Sequence, residues 1–240
     1  MSDGSSGTGA AFWPSILASE YWPEIWQGTL DTLVMTGASL LFTILIGLPL
    51  GTALFLTGWS QRSERALPAR VQSLVYGLLS LVVNVLRSVP FLILLILLIP
   101  VTRAVAGTSL GVRGSIPPLV IAAAPFFARL IESLLREVDR GVIEACRSMG
   151  ATTRQIVLWA LLPESLPGIL AAIIVTAVAL VGYSAMSGVI GGGGLGDLAV
   201  RYGYQRFNTT VMLITVAILV ALVQSIQAFG DHLVARFSRR

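Results

Sequence analysis

The chain has 240 residues, of which 55% are hydrophobic and only 12% charged, and its mean hydropathy is +0.84. A water-soluble domain of this length could bury a sizeable core but would need far more charge to cover it, so that class is excluded. The formal net charge of +4 is carried by sixteen arginines without a lysine, and their placement between apolar blocks points to a membrane surface, not to nucleic acid.

The first eleven residues, MSDGSSGTGAA, are small and polar and predict a flexible tail, without the basic start and apolar run of a cleaved signal peptide. Trp13, Pro14, Tyr21, Trp22, Pro23 and Trp26 follow. Indole rings favour the headgroup layer, so residues 1–28 read as an extracytoplasmic tail ending in an interfacial aromatic stretch. Five apolar blocks then run over about Thr29–Thr57, Val71–Ile99, Ile116–Leu135, Leu166–Ile190 and Asn208–Val234. A hydrocarbon slab of roughly 30 Å needs about 20 apolar helical residues to cross it. Backbone groups in lipid must be satisfied within the chain, and the alternation of a membrane barrel is absent, so the blocks predict five transmembrane helices over 29–240.

Within the first block, Gly47-Leu48-Pro49-Leu50-Gly51 is expected to interrupt the helix, and its glycine pair to admit a close neighbour. The second block is over 40 Å long as a straight helix at about 1.5 Å per residue, so it must tilt or break. Arg87-Ser88-Val89-Pro90 is the natural break, because proline removes a helical hydrogen bond and disfavours helix just before it. Arg87 then either faces a cavity beside a transport path or snorkels to the inner surface. In the third block Arg129 and Glu132 lie three apart on one face and can pair.

Alternation of five helices puts Arg62, Arg65, Arg70, Arg136, Arg140, Arg147, Arg154, Arg236, Arg239 and Arg240 on one side. The opposite loops hold only Arg103, Arg113, Arg201 and Arg206. The positive-inside rule therefore predicts an outer N-terminus and a cytoplasmic C-terminus. The loop after the third block is then cytoplasmic. From Glu144 to Pro167 it reads as two short helices separated by Gly150, which suits a left-handed cap. Thr152 and Gln155 have capping-box spacing, and Pro163 and Pro167 punctuate entry into the fourth block. Such an amphipathic pair suits either docking of a cytosolic partner or rest on the lipid surface. Cys146, the only cysteine, excludes an intrachain disulfide and reads as a small buried thiol.

The same loop resembles the EAA loop of ATP-binding-cassette importer permeases, through Glu144-Ala145-Cys146, Gly150-Ala151 and Leu162-Pro163. Cys146 stands where the family usually has a second alanine, and Ala160 where a branched aliphatic is usual. The closer resemblance is to methionine-importer permeases, carried by Arg87-Ser88-Val89-Pro90, Ala124-Pro125-Phe126, Gly182–Gly188, Gly191–Gly196 and Tyr202-Gly203-Tyr204, and it extends from about Gly28 to the C-terminus. It implies an all-α polytopic permease of a bacterial inner membrane, in which Glu144, Ala145, Cys146, Gly150, Ala151, Leu162 and Pro163 couple to the ATPase. It also implies a second copy of the chain, two cytoplasmic ATPase subunits that bind ATP and Mg, and an extracytoplasmic methionine-binding protein. A permease for another small solute, such as a quaternary amine, a phosphonate or another amino acid, is the alternative. Tyr183 and Met186 share a face of the fourth helix with Ser184 to one side, and with Arg87 they are the candidate substrate pathway; ordinary packing between helices is the competing reading.

Enzymatic readings find little footing. Gly191-x-Gly193-x-x-Gly196 matches the dinucleotide fingerprint only formally, because a membrane helix and not a strand precedes it; a turn with close backbone approach is the expectation. A P-loop needs a lysine for the phosphates, so a partner must hydrolyse the ATP. His232, the only histidine, adjoins Asp231 near the end of the last helix, where cationic character suits the helix dipole; it suggests neither a metal site nor a triad.

Overall fold

The computed structural model describes residues 21–59 and 69–238, and every regular element among them is helical. Five helices are long and apolar enough to cross a membrane. They are α1 (Trp22–Trp59), α2 (Ala69–Ser88), α5 (Gly111–Glu137), α9 (Leu166–Ser187) and α11 (Thr209–Ser238). Between them lie α3 (Phe91–Leu97), α4 (Ile99–Ala106), α6 (Arg140–Ser148), α7 (Thr153–Ile156), α8 (Leu162–Glu164) and α10 (Gly194–Leu198). The predicted count and order hold, while the boundaries move.

The aromatic stretch at Trp22–Trp26 is not a lead-in but the first turn of α1 itself. Pro23 sits where a missing N–H costs nothing, and Glu24 complements the positive end of the helix dipole. The rest of the predicted tail, Trp13 included, lies outside the described residues. The expected interruption at Gly47–Gly51 does not occur: α1 runs unbroken through Pro49. A membrane helix tolerates proline where neighbouring groups support the freed backbone. Here Pro49 leaves the Leu45 carbonyl without its amide, and the flanking glycines press onto α5 and hold the helix in line. A Cβ at Gly47 would lie 3.1 Å from the Ala124 carbonyl oxygen, and one at Gly51 2.5 Å from that of Ala128. The glycine pair thus does admit a close neighbour, and that neighbour is α5.

The second block breaks where proline predicts. α2 ends at Ser88, and the chain resumes as α3 and α4 with an extended Pro90 between. Among the five long helices α5 is the most enclosed, with 67% of its best membrane window buried against 11% for α2 and α11. It is therefore the central post. Leu74, Leu78, Leu81 and Val85 on α2 are exposed, as lipid-facing side chains would be. Toward the α6 end, Phe55, Phe127, Ile131, Leu135, Ile143 and Leu161 form one core; at the other end Ile25, Leu195, Leu198, Tyr202, Val211 and Ile214 form a second. Tyr202 there packs on Tyr21 at 5.0 Å, and hydrogen bonding to the Glu24 carboxylate holds its phenol above the usual range.

Candidate functional site

Two regions concentrate the predicted residues. The first is the segment between α5 and α9. Asp139 caps α6 by accepting from the Gly141 amide at 2.8 Å, a signal the sequence carried as an Asp directly before the helix. Amphipathic α6 buries Ile143, half-buries Cys146 and leaves Glu144, Ala145 and Met149 exposed. The chain then reverses at Gly150, whose φ is +80°. Its amide donates to the Arg147 carbonyl at 2.8 Å and that of Ala151 to Cys146 at 3.0 Å, which satisfies carbonyls at the end of α6. The predicted capping box is present, with Gln155 Oε1 accepting from the Thr152 amide at 2.8 Å. A π-helical turn, Val157–Leu161, follows, and Leu162-Pro163 opens α8.

This pair of helices encloses an open hollow of about 430 Å³ lined by Cys146, Gly150, Ala151, Gln155 and Ile156, with Met149 and Trp159 on its rim. Met149 and Trp159 are 79% and 75% exposed, so two large apolar side chains stand out from the same small surface. The segment is tied to α1 as well. Phe55 and Trp59 stack at 5.7 Å, and the Arg147 guanidinium lies 4.3 Å over the Trp59 ring. That contact was not legible in the sequence, because it joins residues far apart in the chain.

The second region is a cavity of about 390 Å³ where α2 breaks. Arg87 and Tyr183, assigned to a pathway from the sequence, both line it, together with Asn84, Phe91 and Phe126. Phe91 stacks on Tyr183 at 4.7 Å, and the Arg87 guanidinium lies 6.0 Å from the Phe126 ring centre. Arg87 therefore stands on the wall of this cavity, itself exposed on the single chain. Ser184 goes elsewhere. Its side chain is buried and donates to the Val181 carbonyl at 2.8 Å, within its own helix. Met186 is 50% exposed and lies with Val175 and Gly182 on a bare face of α9.

Below the cavity, toward the α6 end, sequence reasoning found only half of a charge cluster. Glu132, 3% exposed, pairs with Arg129 at 2.5 Å as predicted and also with Arg136 at 2.6 Å. Tyr76 donates to the same carboxylate at 3.3 Å, while Arg129 donates to Ser80 and, at 3.0 Å, to Asn84. The second arginine at i+4 was visible in the sequence; the α2 partners were not.

Comparison with known proteins bears on what these two regions belong to. Residues 65–239 match the family model described as "binding-protein-dependent transport system inner membrane component". The chain is 47% identical over 222 residues to a probable D-methionine transport system permease protein of Pasteurella multocida, covering 91% of this chain and 99% of that one. It is 45% identical over 212 residues to a methionine import system permease protein of Bacillus subtilis, covering 87% and 90%. A solved structure of an inward-facing methionine ABC transporter contains a chain that superposes with a TM-score of 0.85 at 44% identity, covering 92% and 99%. An amino acid ABC transporter chain at 20% identity shares the fold with a TM-score of 0.75. With five membrane-length helices and a family match over most of its length, the chain belongs to the inner membrane components of binding-protein-dependent transport systems and is a multi-pass permease.

Proposed function

We propose that this chain is the permease subunit of an ATP-binding-cassette importer that carries methionine across a bacterial inner membrane. The observation that carries the substrate is the near full-length similarity at 47% and 45% identity to two permeases named for methionine. The chain itself hydrolyses nothing in this reading. It works as a homodimer with two ATPase subunits, which bind ATP and Mg, and receives its cargo from an extracytoplasmic binding protein. Labelled-methionine uptake into vesicles holding the complete complex tests the assignment. ATP-dependent uptake that excess unlabelled methionine abolishes is expected; uptake untouched by methionine but competed by a quaternary amine or a phosphonate would overturn it.

The ATPase docks on the hollow bounded by Cys146, Gly150 and Ala151, with Glu144 and Ala145 on the exposed side of α6 and Leu162-Pro163 closing the segment. Exposed Met149 and Trp159 support this, since large apolar anchors on an otherwise polar surface are the usual hot spots of an interface. Movement of α6 passes to α1 through Arg147 and Trp59, and the long helices rock about the central post as rigid bodies, alternating access to the path. A residue other than glycine at φ +80° is strained by about 1–3 kcal/mol, although a Cβ at Gly150 would meet no atom within 4 Å. Gly150→Val is therefore expected to insert and fold normally, yet to lose most ATPase copurification or most uptake. Retention of both would end the docking assignment.

The arginine distribution puts the N-terminus outside and the α6 end in the cytoplasm. With Cys146 replaced by serine, Ser5→Cys is expected to react with an impermeant thiol reagent from outside and Arg240→Cys only from inside. Reaction of both from one side would contradict five crossings. Met186, on the bare face of α9, gates the path between two copies, while Tyr183 and Arg87 line the approach and Ser184 holds the helix locally. Met186→Ala is expected to change uptake, or the ATP used per methionine, in a complex that stays assembled; unchanged values for both would favour ordinary packing.

A further inference from the structure

The cavity at the α2 break has a polarity that a packing defect would not need. Arg87 has no ion pair or hydrogen bond with any described residue, whereas Arg129 and Arg136 of α5 are both held by Glu132. A guanidinium on a membrane-spanning helix is costly unless an anion or a wet cavity offsets it. Asn84 adds polarity beside it: its Oδ1 accepts from Arg129, which leaves the amide NH2 free to donate. The break supplies the opposite sign. Among the described residues no backbone amide bonds the Leu86, Arg87 or Ser88 carbonyl, Pro90 brings no N–H, and the negative end of the helix dipole falls at the same place. The far wall is apolar, built from the Phe91–Tyr183 stack and Phe126.

We propose that this cavity is an intramembrane binding site for a free α-amino acid with an apolar side chain. Arg87 and the Asn84 amide take its carboxylate, the open carbonyls at the end of α2 take its ammonium, and Phe91, Phe126 and Tyr183 pack on the side chain. At about 390 Å³ the space is in the usual range of small-molecule sites, roughly 300–1,000 Å³. A thioether suits such a wall, because sulfur contacts aromatic rings favourably without needing a hydrogen bond. The inference rests on the importer reading above and adds to it where the cargo pauses within the permease.

The test is equilibrium binding of radiolabelled methionine to the purified permease–ATPase complex in nanodiscs, with no binding protein present. Saturable binding is expected, at least tenfold weaker in Arg87→Gln and partly restored in Arg87→Lys, each checked for an intact complex by size exclusion. Methioninol, which lacks the carboxylate, and 4-(methylthio)butanoate, which lacks the ammonium, are expected to compete poorly. No saturable binding in the wild type, equal binding by an intact Arg87→Gln complex, or equal competition by methioninol would each overturn the site. If Arg87→Gln does not assemble, the analogue competition on the wild type decides alone. Normal methionine uptake beside absent nanodisc binding would sink this site and leave the importer reading standing; absent uptake in the complete system would sink the importer reading itself.

Discussion

Glu132→Ala is expected to lower the stability of the permease by about 3–5 kcal/mol, the range found when one partner of a buried ion pair is removed. The carboxylate is 3% exposed and serves three donors, Arg129, Arg136 and the Tyr76 hydroxyl, from two helices. Removing it leaves the Arg129 and Arg136 guanidiniums without their common anion, with Arg129 still bonded to Ser80 and Asn84 of α2 and Arg136 to the Tyr76 hydroxyl. The cost comes from those stranded charges more than from the bonds themselves, and this separates the variants. Glu132→Gln keeps an acceptor of similar shape but not its charge, so an intermediate loss is expected. A triple variant, Glu132→Leu with Arg129→Met and Arg136→Met, removes the charges together and is expected to recover most of the loss. Thermal unfolding of the detergent-solubilised complex, followed by loss of monodispersity, measures all three. A triple variant as unstable as Glu132→Ala would mean that the cluster stabilises by attraction and not merely by mutual neutralisation.

The ion cluster also illustrates what a sequence of this kind reveals. Helix number, order and approximate extent were legible because lipid imposes one rule over some 20 residues at a time, and local errors average out. The break at Arg87–Pro90 was legible because proline acts on its own neighbours. The same rule failed at Pro49, where packing of Gly47 and Gly51 against α5 carries the helix through; that support comes from residues almost eighty positions away. Candidate sites divide in the same manner. The turn at Gly150 and the Thr152–Gln155 box are local and could be read directly. That Arg87 and Tyr183 meet in one cavity while Ser184 turns into its own helix depends on how α2, α5 and α9 lie together, and no spacing along the chain encodes that.

Gly196→Ala is expected to destabilise the permease by roughly 3 kcal/mol or more, at the upper end of what overpacking costs, because the obstruction is backbone and cannot rotate aside. A Cβ at Gly196 would lie 2.2 Å from the Ala185 carbonyl oxygen and 2.5 Å from its Cα. The converse holds on the other side of the contact, where a Cβ at Gly188 would lie 2.2 Å from the Asp197 amide nitrogen. The end of α9 and the start of α10 therefore touch backbone to backbone, and a methyl on either must push the two apart. That movement would not stay local. The loop between them turns through Gly191, Gly193 and Gly194, all at φ near +80°, and it anchors three other points. Leu195 donates to Thr32 Oγ1 of α1 at 2.9 Å, Gly111 donates to the Gly191 carbonyl at 2.9 Å, and Ser115 of α5 reaches Gly192 at 3.3 Å. One methyl would thus strain the joint that holds α1, α5, α9 and α10 at the end opposite α6. Gly77 of α2 is the natural control, exposed and with nothing within 4 Å of a Cβ placed there. Gly77→Ala is expected to leave the melting temperature of the complex unchanged or slightly raised, as alanine is the better helix former. Gly196→Ala is expected to lower it by several degrees and to reduce the yield of folded protein. Equal melting temperatures for the two variants would show that α10 can move off α9 freely, and that the glycine-rich turn is not the fixed joint its contacts describe.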